Sequence, residues 1–98
     1  MKIIAELSII PIGVGVSLSK YIAECERILK SKGLTIQLHA EGTNIEGELN
    51  DVLNAIKSCI EVVHKLGAPR LVTNIKISSR VDKTESMKEK IKSVEKQI

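Results

Sequence analysis

An α+β sandwich, with elements in the order β-α-β-β-α-β and one further helix at the C-terminus, is the fold class that this sequence predicts. Three observations predict it. Apolar and polar residues alternate over residues 3–10, 35–40 and 70–79, which is the period of a strand with two unlike faces. Between these stretches, apolar residues recur every three or four positions over residues 18–29 and 49–63, the stripe of a helix packed on one side. Pro11, Gly33, Gly67 and Pro69 stand where one pattern gives way to the next.

In the first strand, Ile3, Ala5, Leu7 and Ile9 share the face suited to a core, and Ile4, Glu6, Ser8 and Ile10 share the other. Pro11 is expected to end it. Gly13-Val14-Gly15-Val16-Ser17 then leads to a helix, with Ser17 or Ser19 placed to accept a hydrogen bond from the free amides of its first turn. Leu18, Tyr21, Ile22, Cys25, Ile28 and Leu29 form that helix's stripe, and Gly33 is its natural stop.

The second strand sets Ile36, Leu38 and Ala40 against Thr35, Gln37 and His39. A turn at Glu41-Gly42 is expected to reverse the chain into a short third strand, from Thr43 to about Gly47. The second helix carries Leu49, Val52, Leu53, Ile56, Ile60 and Val63, ends near Gly67 and is sealed by Pro69. In the last strand Leu71, Thr73, Ile75 and Ile77 oppose Val72, Asn74, Lys76 and Ser78. From about Asp82, an apparent capping box of Asp82 and Glu85 precedes a thin stripe of Met87, Ile91, Val94 and Ile98.

This order is that of the ferredoxin-like split βαβ fold, a four-stranded antiparallel sheet with two helices on one face. Its other face is expected to be open. Strand parity puts Glu6, Ser8, Gln37, His39, Asn74 and Lys76 there, a polar set that a core cannot use.

The 98 residues make one domain, residues 1–98, large enough to bury a core without a disulfide or metal staple. Cys25 and Cys59 are too few for a disulfide framework, so a reducing cytoplasm is expected. No apolar run approaches the roughly 20 residues of a membrane span, and Glu6 interrupts the N-terminal apolar stretch as it would not in a signal peptide. The net charge of +3 arises from interleaved signs, with Arg80, Lys83, Lys88, Lys90, Lys92 and Lys96 set among Asp82, Glu85, Glu89 and Glu95. That is a solvated helix face. Nucleic acid is not an expected partner, because phosphate tracking needs a single-signed stripe and single-strand readers need aromatics, of which this chain has only Tyr21.

Catalytic chemistry is sparse. Cys25 and Cys59 lie on or beside apolar stripes, as structural thiols do, and His64 near the end of the second helix complements the helix dipole. Neither CxxC nor HxxxH occurs, and His39, Glu41 and Glu46 read more simply as a solvated turn than as metal ligands. Gly13-x-Gly15 follows a strand and opens a helix, but lacks the third glycine and the lysine of phosphate-binding loops. No metal, cofactor or catalytic residue is assigned.

The strongest local signal is Gly42-Thr43-Asn44-Ile45-Glu46-Gly47-Glu48, where two glycines bracket a polar run preceded by Glu41. The glycines permit a sharp turn or a close approach to the main chain, and the carboxylates favour a cationic ligand. Glu48 alone is explained as a helix-start residue.

Glu6, Pro11-x-Gly13, Ser17-x-Ser19-x-Tyr21, Gly42-Thr43-x-x-Glu46-Gly47 and Asn74-Ile75-Lys76-Ile77 together resemble the small thiamine-binding protein family, over nearly the whole chain. The family's strand usually continues Lys-Ile-Asp-Asp-Arg, whereas this one reads Lys76-Ile77-Ser78-Ser79-Arg80, with two fewer carboxylates. The resemblance implies a homotetramer, a dimer of dimers, that binds thiamine or its hydroxymethylpyrimidine part near subunit contacts without catalysis. Glu6, Ser8, His39, Gly42, Thr43, Glu46, Asn74 and Lys76 are the ligand-binding residues expected on the resemblance and the open face together. The alternative is a structural or regulatory module that assembles through its sheet and C-terminal helix.

Overall fold

A computed structural model describes all of residues 1–98. Its elements are β1 (Lys2–Ile12), α1 (Ser19–Ser31), β2 (Thr35–His39), β3 (Gly42–Glu48), α2 (Leu49–Lys65), β4 (Arg70–Ser78) and α3 (Met87–Glu95). The strands form one sheet in the order β2-β3-β1-β4, with every neighbouring pair antiparallel. This is the ferredoxin-like sandwich with an extra C-terminal helix.

Strand parity explains where the core sits. Ile3, Ala5 and Leu7 of β1 lie opposite Gly47, Ile45 and Thr43 of β3, and all turn toward α1 and α2. Tyr21, Cys25 and Leu29 from α1 meet Val52, Ile56, Cys59 and Val63 from α2 over them. Removing these apolar side chains from water is the main driving force of the fold. Leu53 departs from the expected stripe and faces solvent, while Ala55 and Cys59 take the buried positions.

The two thiols are free and interlocked. Cys25 Sγ–H points to the Cys59 carbonyl at 4.0 Å, and Cys59 Sγ–H donates to the Cys25 carbonyl at 3.7 Å. Hydrogen bonding with the Cys25 thiol and burial push the Cys59 thiol well up, so it remains neutral.

Several element boundaries differ from those expected. Pro11 lies inside β1: beyond Leu7, β3 no longer flanks β1, and an edge tolerates a proline. Neither Ser17 nor Ser19 caps α1, whose N-cap is Leu18 with no side-chain hydrogen bond. The hairpin turn is Ala40-Glu41, and Gly42 is the first residue of β3. Asp82 and Glu85 form no capping box; both pair with Arg80, and the cap of α3 is Ser86, whose hydroxyl accepts from Glu89 N–H at 3.1 Å.

Glu48 is the N-cap of α2. Its carboxylate accepts from Asn50 N–H at 2.8 Å and Asp51 N–H at 3.2 Å, and lies 3.5 Å from the N-terminal ammonium. Asp51 N–H, then Asn50 N–H and the ammonium, hold its pKa below the ordinary glutamate value. A depressed folded-state pKa means that the cap stabilises the protein above the ordinary range and loses its effect as pH falls through the lowered value. Glu48→Gln is therefore expected to be less stable than wild type at neutral pH, with the gap closing below about pH 4, near the ordinary glutamate pKa. Urea unfolding of both proteins at the two pH values checks this, and a gap unchanged in acid would contradict it.

The face opposite α1 and α2 is not wholly open. α3 lies along one end of it: Met87 is buried there, and Met87 N–H donates to Glu46 Oε1 at 2.6 Å. Ile91 reaches the same face beside Ile4 and Lys76. No helix is long and apolar enough to cross a membrane.

Candidate ligand-binding site

The two central ladders have unequal lengths, and this opens a cavity. β1 pairs with β3 only as far as Leu7↔Thr43, yet continues along β4 to Ile12↔Arg70. Main-chain groups of Ser8–Ile10 that point toward β3 therefore have no strand opposite them. The space is closed on one side by the hairpin tip, residues 38–43, and on the other by α1, leaving a cavity of about 310 Å³.

Its walls are mostly aliphatic, from Leu18 at the N-cap of α1, Ile22 of α1, Leu38 of β2, and Ile9 and Ile10 of β1. Its polar groups converge from two elements. Thr43, only 4 % exposed, turns beneath the sheet, and its hydroxyl donates to Glu26 Oε2 at 3.0 Å. Glu26 Oε1 is buried and has no hydrogen-bond partner. A mostly apolar pocket with a few converging polar atoms is the usual form of a small-molecule site, and the volume is at the low end of the range of about 300–1,000 Å³. Glu26 and Glu41 line it, and no lysine or arginine does.

The hairpin tip owes its shape to Gly42. That glycine has no positive φ, so a tight turn is not the reason for it. A Cβ there would stand 2.8 Å from the Leu7 main-chain oxygen and 3.3 Å from His39 Cε1. The missing side chain lets the His39 ring lie across β3, where Nδ1 accepts from Glu41 N–H at 3.4 Å and Nε2 faces Glu6 Oε2 at 3.6 Å. Gly47 likewise makes room for Leu34, whose Cδ2 lies 2.5 Å from the position a Cβ would take.

The eight expected site residues divide into three groups. Ser8, His39, Gly42 and Thr43 line the cavity. Glu6, Asn74 and Lys76 lie on the opposite sheet face with Ser8, where Glu6 Oε1 is 3.8 Å from Lys76 Nζ, and together they line a small hollow. Thr43 is thus on the other side of the sheet from Glu6, Asn74 and Lys76, because adjacent strand residues alternate. Glu46 stands apart. Its two oxygens are engaged by Met87 N–H at 2.6 Å and Lys2 Nζ at 3.5 Å, so it anchors α3 to the sheet.

Glu26 is the polar residue that strand parity missed. Leu18, Ile22 and Glu26 recur at four-residue spacing and form one ridge of α1 facing the hairpin. A carboxylate in line with two aliphatic side chains was the signal available. No three His, Cys, Asp or Glu side chains stand close enough together to hold a metal ion.

Comparison with known proteins adds to this geometry. Residues 5–95 match the family model described as thiamine-binding protein. A UPF0045 protein of Synechocystis sp. is 46 % identical over 95 residues, covering 97 % of this chain and 78 % of that protein. The crystal structure of a hypothetical protein from Methanocaldococcus jannaschii superposes with a TM-score of 0.91 at 36 % identity, covering 96 % of each chain. A proposed thiamine biosynthesis or salvage protein of Thermotoga maritima shares the fold, with a TM-score of 0.83 at 18 % identity over 96 % of this chain and 99 % of that one.

Proposed function

The chain belongs to the thiamine-binding protein family, and we propose that it binds free thiamine or its hydroxymethylpyrimidine part, without catalysing a reaction, in the cavity between α1 and the β2–β3 hairpin. The observation that carries this reading is the buried, unpartnered Glu26 Oε1 in a mostly apolar cavity, a group that a donor-bearing ring would satisfy. Thr43 orients Glu26, the main-chain edge at Ser8–Ile10 offers further hydrogen bonds, and Gly42 with His39 forms the rim. Glu6 positions His39. Asn74 and Lys76 extend the polar surface on the far side of the sheet.

The cavity's charge favours the unphosphorylated compound. Two carboxylates line it and no cation does, so a diphosphate would be repelled there. Aliphatic walls also replace aromatic stacking, which a chain with only Tyr21 cannot supply. Calorimetric titration is expected to give binding of thiamine and of hydroxymethylpyrimidine, and weaker binding of thiamine diphosphate. Absence of binding by all three would refute the reading.

We further propose that the protein is cytoplasmic and assembles as a homotetramer, a dimer of dimers. The free thiols support the location. The assembly is supported by the outer edge of β4, which pairs with no strand, and by Ile91 and Val94 on α3, which are 43 % and 60 % exposed. Light scattering is expected to give a tetramer for the full chain and a smaller species after truncation before Asp82. A monomeric full chain would refute the assembly, and an intact tetramer after truncation would remove α3 from it.

A further inference from the structure

We propose that Glu26 is the specificity-determining residue of the cavity and reads the exocyclic amino group of a 4-aminopyrimidine, an inference that rests on the ligand class proposed above. Its two oxygens have different duties. Oε2 already accepts a hydrogen bond from the Thr43 hydroxyl at 3.0 Å. Oε1 is buried and has no partner.

A carboxylate oxygen accepts hydrogen bonds and gives none, so the occupant must bring an N–H or O–H to this point. An aminopyrimidine brings two N–H groups on one planar substituent, and its flat ring suits walls made of Leu18, Ile22 and Leu38. A ring of the same shape with a methyl group in place of the amino group fills the space but leaves Oε1 unpaired. A site built to hydrogen-bond one group discriminates against the analogue lacking it far more strongly than an apolar pocket discriminates by size.

Among the lining side chains, Glu26 is the one that offers a buried, unpaired carboxylate oxygen to the amino group. Neither cysteine contributes a donor, since both thiols point to each other's carbonyls. His39 Nε2 is also buried without a hydrogen-bond partner, but its nearest charged neighbour is Glu6 Oε2 of β1 at 3.6 Å, a residue that does not line the cavity.

The test is a calorimetric comparison of hydroxymethylpyrimidine with its 4-methyl analogue, on wild type, Glu26→Gln and Glu26→Leu. Wild type is expected to prefer the amino compound at least tenfold. Glu26→Gln, which keeps an acceptor oxygen, is expected to retain part of that preference, and Glu26→Leu to lose or reverse it while still binding the methyl analogue. Binding of the methyl analogue to Glu26→Leu shows that the cavity is folded. Equal affinity of wild type for both compounds overturns the inference and leaves the cavity as the binding site. Binding of neither compound to wild type overturns the proposed ligand class and this inference with it.

Discussion

Ile45→Ala is expected to lower the stability of the fold by about 2–5 kcal/mol, the range found when a large aliphatic side chain is deleted from a packed core. Ile45 is 0 % exposed. It lies on β3 between Ala5 of β1 and Ile36 of β2, on the face that α2 covers. A loss of this size is a large share of the roughly 5–15 kcal/mol available to a small domain. Urea unfolding should therefore show a much lower midpoint at an unchanged slope. A change below about 1 kcal/mol would mean that this side of the sheet packs loosely.

Gly42→Ala should damage stability and binding together. The added Cβ meets the Leu7 main-chain oxygen at 2.8 Å, and a sheet backbone cannot yield as a side chain can. Overpacking of this kind costs about 1–3 kcal/mol. The shift falls on the hairpin tip that bounds the cavity, so affinity for hydroxymethylpyrimidine should drop as well. Gly47→Ala is the informative contrast. Its Cβ would crowd the end of the flexible Leu34 side chain and touch Val52 Cγ2 at an ordinary 3.5 Å, so it should cost less and leave binding intact. Equal losses in the two variants would contradict the steric reading of Gly42.

The contrast between these glycines shows what could be read from the chain alone. Strand parity placed Glu6, Ser8, Gln37, His39, Asn74 and Lys76 on one sheet face, and the register bears this out, because side-chain direction in a strand has a period of two. The same parity puts Thr43 on the opposite face from Asn44. The family resemblance named both Thr43 and Glu46 without regard to face. Only the three-dimensional pairing shows that Thr43 meets Glu26 on α1, 17 positions away in sequence.

The reasons for Gly42 and Gly47 were likewise hidden. Neither has a positive φ; the Leu7 main-chain oxygen demands glycine at 42, whereas at 47 the Leu34 side chain fills the space that a Cβ would take. The bond from Met87 N–H to Glu46, over 41 positions, depends on where α3 settles, and a thin amphipathic stripe does not specify which surface receives it. The cavity itself arises from β1 being longer than its pairing with β3. That length was obscured by Pro11, which would end a central strand and is tolerated at an edge.

The most direct test of the cavity is a nuclear magnetic resonance titration of the ¹⁵N-labelled protein with hydroxymethylpyrimidine. Binding there predicts the largest amide shifts at Ser8–Ile10, Glu26 and residues 38–43, with α3 unchanged. Shifts concentrated at Glu6, Asn74, Lys76 and α3, or none at saturating ligand, would contradict it.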